Sequence, residues 1–462
     1  MALKPYLYFS LILFCSNLPA YCQGWAALGT GSNSLNADSW INALYNPPGT
    51  NNLYAAGGFK DDSGYRYVAY WNGHNWSEKG TGSNALKANG AILSLCYDNY
   101  QNLYAAGSFT DSAGKYYVAK WNGVQWTELG TGLNSLNANG LIEQIASDEY
   151  GNIYAGGYFT DSPSAASGQN YVAKWNGTHW IELGTGVHAL NPNAYIEQIA
   201  TDSPDIVYAA GSFYNSMGRS YVAKWNGTDW EELASPTSWL YAYAGSITAL
   251  HVDKQHNVYA GGWFEDSVGT YFVAKWDGVK WTELGGLGGL NANAGIQAIT
   301  TDKYGNVYAS GEFRSSGKTY VACWNGSSWS SVGMGAYGLN GNDLVSAVCV
   351  SDSALIFAAG IFSDGATSAD GYKYVAVYNT ALAGVYTPQA TAPYSAFPNP
   401  TNGIIYIVSC DNAIQPYTLY NIFGLVVCSG YIRGKTKIDI SPMPVGPYIL
   451  CSGNYRLLLE KK

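Results

Sequence analysis

Charge is scarce in this 462-residue chain: Asp, Glu, Lys and Arg make up 12% of it, about half the ordinary share. Charged, aromatic-poor disorder is thereby excluded. A formal charge of −9 argues against a phosphate-binding surface, so no nucleic-acid partner is expected. Good helix formers are few beside 55 Gly, 40 Tyr and 16 Trp, a balance that favours strands and turns. Histidine occurs five times, as His74, His179, His188, His251 and His256, and only the last two lie near each other. No G-x-S-x-G, H-E-x-x-H or P-loop is present, so catalysis has little support. After residue 22 the cysteines are Cys96, Cys323, Cys349, Cys410, Cys428 and Cys451. Their scattered spacing, without C-x-x-C, gives neither a zinc site nor a disulfide framework. Cys96 and Cys349 read as small buried residues. No cofactor or metal is expected. No apolar run reaches the roughly 20 residues that span a bilayer, so no transmembrane segment is expected.

What is present begins with the two ends. Lys4, the apolar stretch from Tyr6 to Phe14, and Ala20-Tyr21-Cys22 before Gln23 read as a secretory signal over residues 1–22. Tyr21 stands where a lipobox wants a small residue, which disfavours lipidation of Cys22. Pro388 and Pro393 lie in a Thr- and Ala-rich stretch over 381–395 that reads as a linker. Beyond it the charge changes sign. From Ala396 onward Arg433, Lys435, Lys437, Arg456, Lys461 and Lys462 outnumber Asp411, Asp439 and Glu460, which supports a domain boundary there.

The middle is periodic. Tyr54, Tyr104, Tyr154, Tyr208, Tyr259 and Tyr308 each open a Y-A-[AGS]-G stretch, and Phe357 replaces Tyr in the seventh copy. Five residues later stands Phe59, Phe109, Phe159, Phe213, Phe264, Phe313 or Phe362. A Val-Ala pair then leads to Trp71, Trp121, Trp175, Trp225, Trp276, Trp324 or Tyr378. A second tryptophan follows at Trp76, Trp126, Trp180, Trp230, Trp281 and Trp329. The seventh copy lacks one, but Trp25-Ala26-Ala27-Leu28-Gly29 matches Trp126-Thr127-Glu128-Leu129-Gly130. One copy has moved to the N-terminus, as in a ring whose last unit is completed by the first strand. A period near 50 residues with four short strands per copy predicts an all-β fold: a seven-bladed β-propeller of four-stranded blades over 23–380. In the second copy the strands are expected at Ile92–Tyr97, Leu103–Phe109, Tyr116–Trp121 and Trp126–Leu129.

The Y-A-A-G-G and W-N-G-x-x-W-x-x-L-G stretches resemble a kelch-type blade. The A-x-D-x-x-G-N-x-Y-A-x-G portion is similar to the bacterial β-propeller repeat. Both families bind diverse partners, so these resemblances imply a fold and leave the ligand open.

The repeated residues read first as scaffold. The paired tryptophans flank an Asn-Gly turn and are expected to bury their rings between neighbouring blades. Asp98, Asp148, Asp202, Asp253 and Asp302 lie at the first hairpin, where Asp caps backbone N–H groups. The next loop carries Asp61, Asp111, Asp161, Asn215, Asp266, Ser315 and Asp364. There Asp111-Ser112-Ala113 and Asp266-Ser267-Val268 also resemble an O-glycosylation acceptor of exported bacterial proteins. Alternation of loops between faces puts this second loop beside the crossing between blades, where Asn89, Asn139, Asn193, Asn293 and Asn342 recur. One face is thus expected to carry rings of Asn and Asp. One crossing departs from the pattern: Ser235-Pro236-Thr237-Ser238-Trp239-Leu240-Tyr241-Ala242-Tyr243 puts aromatics where others have Asn. Trp239, Tyr241, Tyr243, Asn139, Asn193, Asn293, Asp111 and Asp266 are therefore the candidate ligand-binding residues, suited to carbohydrate or peptide. Burial over the central channel is the alternative for the aromatic cluster. Glu182, Asp229, Glu231 and Glu232 occupy ordinary strand positions and are weak candidates for a catalytic carboxylate pair.

The tail opens with Phe397-Pro398-Asn399-Pro400-Thr401-Asn402-Gly403. Short apolar stretches separated by Gly and Pro follow, including Tyr420-Asn421-Ile422-Phe423-Gly424 and the run from Ile438 to Tyr448. They predict a small β-sandwich over 396–462. This segment resembles the C-terminal sorting domain (type A) of the type IX secretion system. The resemblance rests on Pro398, Asn399, Pro400, Gly403, Gly424, Asp439, Gly446 and the basic end Lys461-Lys462. It implies the secretion machinery as a partner, passage across the outer membrane, and an extracellular or surface-anchored location. The first functional reading is a binding module for a glycan or a surface protein. An extracellular polysaccharide hydrolase or lyase is the alternative.

Overall fold

The computed structural model describes residues 24–29, 31–161, 168–235, 238–240, 242–243, 245–287, 289–333, 338–363, 373–379, 394–397, 401–409, 414–421, 426–444, 446–452 and 455–462. The expected signal peptide, most of the linker, and Tyr241, Asp364, Pro398, Asn399, Pro400 and Gly424 lie outside them, as does the side chain of Tyr243. The fold is all-β. It comprises two compact units, Gly24–Thr380 and a second that holds Ala381–Lys462.

The first unit is propeller-like, with four-stranded antiparallel sheets repeated along the chain. In chain order they are sheet one (41–78), sheet two (92–128), sheet three (142–182), sheet four (196–232), sheet five (247–283), sheet six (296–331) and sheet seven (347–379 together with Trp25–Ala27). The first strand of each sheet packs on the first strand of the next, and that of sheet seven packs on sheet one. In sheet two the strands are Ile92–Tyr97, Leu103–Gly107, Ala119–Trp121 and Trp126–Glu128. The third begins later than its sequence suggests. Tyr116 is drawn to the crossing loop instead, its N–H donating to Ala138 O at 3.0 Å.

The glycine that ends Y-A-[AGS]-G has a steric origin. The register slips between Ile92 and Ser94, a β-bulge. A Cβ on Gly107 would collide with Ala91 O and lie 2.8 Å from Leu93 N. Phe109 follows, fully buried, its ring edge-on to Tyr117 with centroids 4.9 Å apart. The same aromatic pair recurs from Phe59 with Tyr67 to Phe362 with Tyr374.

The second tryptophan of each copy joins neighbouring sheets by a hydrogen bond. Trp126 Nε1 donates to Lys79 O at 2.7 Å, Trp180 to Leu129 O at 2.8 Å, Trp230 to Leu183 O at 2.7 Å and Trp281 to Leu233 O at 2.6 Å. Trp329 and Trp76 continue the series on Leu284 O and Leu28 O. Trp25 completes it, donating to Val332 O at 2.8 Å while pairing with Tyr378 in sheet seven. The first hairpins of sheets two, three, five and six are capped by their aspartates, whereas Asp202 of sheet four pairs with the His256 ring instead. Asp148 accepts from the N–H groups of Tyr150 and Asn152, from Asn152 Nδ2 and from the Tyr154 hydroxyl. Asp98, Asp253 and Asp302 do the same.

In the second unit a three-stranded sheet (Tyr394–Phe397, Ile404–Ser409, Lys435–Asp439) and a four-stranded sheet (Gln415–Asn421, Val426–Ile432, Gly446–Ser452, Tyr455–Lys461) share one core. Ile405, Ile407 and Ile438 meet Leu419, Leu450 and Leu459 there. Gly403 has φ 143°, and a Cβ on it would collide with Ser441. Asp439 accepts from Ser441 N at 2.9 Å. Gly446 pairs with Lys461 across the last two strands. Lys461, itself buried, donates from Nζ to the carbonyls of Ser441 and Met443. The Gly403 turn, the Asp439 loop and the basic terminus therefore meet at one place.

Candidate functional site

The Asn and Asp residues of the loop face are engaged with their own loops. Asn139 accepts from Thr160 N at 2.8 Å and donates to Thr160 Oγ1 at 3.0 Å. Asn193 exchanges the corresponding bonds with the backbone of Tyr214, and Asn293 with that of Arg314. Each amide thus staples a crossing to the second loop of the same sheet. Asp111 accepts from Ala113 N and Lys115 N, both at 2.8 Å. Asp266 accepts from Val268 N, Thr270 N and the Thr270 hydroxyl.

The divergent crossing into sheet five builds something else. In regular crossings a glycine lies against a tryptophan of the next sheet: a Cβ on Gly130 would come within 2.8 Å of Trp175 Cζ3, and one on Gly184 within 2.7 Å of Trp225 Cζ3. The crossing into sheet five has Ala234 there, and its methyl excludes that course. The short 3-10 turn seen at Gly132–Asn134 is replaced by mutual backbone bonds between Ser235 and Ser238. The Ser238 hydroxyl then accepts from Trp281 N at 2.9 Å and donates to Trp281 O at 3.3 Å. Trp239 comes to stand where the second crossing has Ser135.

The result is a cavity of about 440 Å³ on sheet five, lined by Trp239, Leu240, Phe272 and Trp281 and by the acids Glu265, Asp266 and Glu283, among others. Two sequence candidates, Trp239 and Asp266, thus share one cavity. It lies away from the central channel, whose lining strands include neither. Tyr243 pairs its backbone with Arg219, and the Arg219 guanidinium lies 5.9 Å from the Trp239 ring centre. Phe272 is a further departure. Sheets one to four carry Tyr67, Tyr117, Tyr171 and Tyr221 at its position. Burial and the nearby charges of Glu128 and Asp111 push the Tyr117 hydroxyl up to about 12, which locates it beside those acids. Sheet five has the same two acids with Phe272 in place of the tyrosine, and there the Thr270 hydroxyl donates to Asp266 at 2.8 Å.

The central channel, a space of about 310 Å³, holds a pair the sequence analysis missed. The bulge in the first strands of sheets one to six presents the residue after the leading Ile, Asn42, Leu93, Glu143, Glu197, Thr248 and Gln297, and Ser346 holds the matching place before the first strand of sheet seven. Several pass a hydrogen bond to the next sheet, as Asn42 does to Leu93 O and Thr248 to Ile296 O. Glu143 and Glu197 are the two acids of the series, on adjacent sheets. Burial, with the charge of Glu197 beside it, pushes Glu143 up to about 7. Burial also raises Glu197, against a bond from the Ser212 hydroxyl that lowers it. Tyr158 and Tyr195 stack beside them at 3.9 Å between centroids. Lining up the seven copies at the leading Ile or Val would have exposed these two acids. By contrast, Asp229 pairs with His188, and Glu182 faces the Asp161 charge on an outer strand.

A pH dependence follows. A carboxyl group whose pKa is raised on folding stabilises the fold only while protonated. Its contribution is complete below the ordinary glutamate value near 4.5 and is lost as pH rises through about 7. Glu143→Gln is expected to remove up to ~3 kcal/mol of that alkaline loss, read as convergence of thermal midpoints measured at pH 5 and pH 8. An unchanged difference would show that Glu143 is ionised in the fold.

No helix among the described residues is long and apolar enough to cross a membrane. No group of three His, Cys, Asp or Glu side chains among them is placed to hold a metal ion. No curated protein matches the chain. Among solved structures it is similar to YCF48 bound to a D1 peptide (13% identity, 81% of this chain and 99% of that one, TM-score 0.48). It is also similar to the β-propeller domain of the Trilobed protease from Pyrococcus furiosus (9%, 74% and 96%, 0.48). A third is the fucose-specific lectin from Aleuria aurantia (14%, 65% and 96%, 0.38). Residues 395–462 match the family of the Secretion system C-terminal sorting domain. This tail marks the protein for type IX secretion, to the extracellular space or the cell surface.

Proposed function

We propose that the chain is an exported binding protein: a signal peptide over 1–22, a seven-bladed propeller of kelch-like character over 23–380, and a sandwich tail over 396–462 that engages the secretion machinery. The propeller carries the binding function, for a glycan or a surface protein. One observation supports this reading above the rest. The crossing that departs from the repeat frames a cavity of about 440 Å³ with Trp239 on its wall. Repeats preserve a scaffold, and a concave seat that sets aromatic and aliphatic surface beside placed polar groups is the usual form of a ligand site. The test is a screen of the full chain against a glycan array and surface-protein extracts, with reaction products assayed alongside. Binding without turnover is expected. Trp239→Ala, shown to be folded, should weaken it by about tenfold or more, as for a central aromatic anchor. Unchanged affinity would sink the assignment of the seat.

A second reading, a polysaccharide hydrolase or lyase, is favoured by the Glu143–Glu197 pair. A glutamic acid that keeps its proton near neutrality beside a second carboxylate is the pairing that general acid catalysis uses. Product formation that disappears in Glu143→Gln would establish it.

A further inference from the structure

We propose that the sheet-five cavity receives a basic side chain, an arginine or lysine of a protein partner. This rests on the reading of that cavity as the ligand seat and names the chemistry it selects. Glu265, Asp266 and Glu283 line it, and among the described residues no lysine, arginine or histidine does. Apart from Ser267 and Thr282 the remaining wall is aromatic or aliphatic, with Phe272 and Trp281 buried. These acids give the wall a negative charge, which a cationic ligand complements better than a neutral one. A guanidinium or ammonium group supplies both the charge and the N–H donors. Its methylene stem suits the wall formed by Trp239 and Phe272, because long basic side chains bury their stems against apolar surface. The ring of Trp239 already has the Arg219 guanidinium 5.9 Å from its centre, approaching from sheet four. Indole faces attract cations in this way. Phe272 adds apolar surface to the wall, where sheets one to four carry a tyrosine.

The experiment is calorimetry of the full chain with glycine-rich peptides bearing one arginine, lysine, citrulline or norleucine. The arginine and lysine peptides are expected to bind at least about tenfold more tightly than the citrulline and norleucine peptides. Their affinity should fall as salt is raised. Glu265→Gln and Glu283→Gln should each weaken the arginine peptide, and Trp239→Ala should remove its binding. Equal affinity for arginine and citrulline, or indifference to salt and to both glutamine variants, overturns the proposal. Binding of a neutral glycan or an amino-sugar oligomer that depends on Trp239, with no arginine binding, overturns it while leaving the seat intact. Absence of any Trp239-dependent ligand overturns both.

Discussion

A chain lacking residues 24–29 is expected to lose cooperative folding altogether. Those few residues close the ring. They pair Trp25 with Tyr378 and Ala27 with Ala376, and Leu28 N donates to Val375 O at 2.7 Å. They also supply Leu28 O as the acceptor for Trp76. Losing a packed tryptophan alone costs about 3–5 kcal/mol. Each abandoned hydrogen bond adds about 1 kcal/mol, against a total stability of about 5–15 kcal/mol for a typical domain. The outer strand Ala376–Asn379 would also become an open edge, a template for aggregation. Calorimetry of the truncated protein should show no unfolding peak near that of the full chain. A shared midpoint would mean that the ring is held without its latch. Trp25→Ala is the milder control and should lower the midpoint while preserving a single transition.

The second large effect comes from one methyl group. Gly157→Ala places a Cβ against Leu141 O and 2.8 Å from Glu143 N. The obstacles are backbone atoms of a β-bulge, which cannot swing aside as a side chain can. Overpacking of a well-filled interior costs about 1–3 kcal/mol, and this site belongs at the upper end. The damage should be functional as well, because the same bulge presents Glu143 to the channel. Urea denaturation should show a lower midpoint, and the titration of Glu143 near pH 7 should move toward the ordinary glutamate range. Ala155→Gly on the same strand is the contrast. It weakens packing without touching the bulge and should leave that titration in place.

The scaffold was readable because the repeat states each rule seven times. Trp25 announced itself by matching Trp126, and the glycine after each Y-A-x marks where a neighbouring backbone presses in. The capping aspartates were legible for the same reason: Asp148 and its counterparts solve one local problem repeatedly. The candidate site was legible in two ways: Trp239 stood out where a copy broke rank, Asp266 belonged to the recurrent loop acids, and the two share a cavity. Phe272 and Ala234 are equally irregular, yet a phenylalanine for a tyrosine and an alanine for a glycine look conservative until the partners they lose or strike are known. Glu143 and Glu197 hid differently. Each sits in a run that scans as an ordinary strand, and only the bulge, a property of strand pairing, turns them into the channel. Asn139, Asn193 and Asn293 recur on one face, and their amides join two loops, a use that recurrence alone cannot separate from ligand binding.

The latch at Trp25 also sets a clock. Its indole bonds to Val332, 307 residues further along the chain, so the contact that closes the ring is among the most distant in sequence. Contacts of that span form slowly, because the intervening chain must first be drawn together. Until Tyr378 has emerged, the chain holds a spare strand at one end and an incomplete sheet at the other. A protein destined to leave the cell thereby remains unfinished during synthesis and seals itself only when its two ends share a compartment.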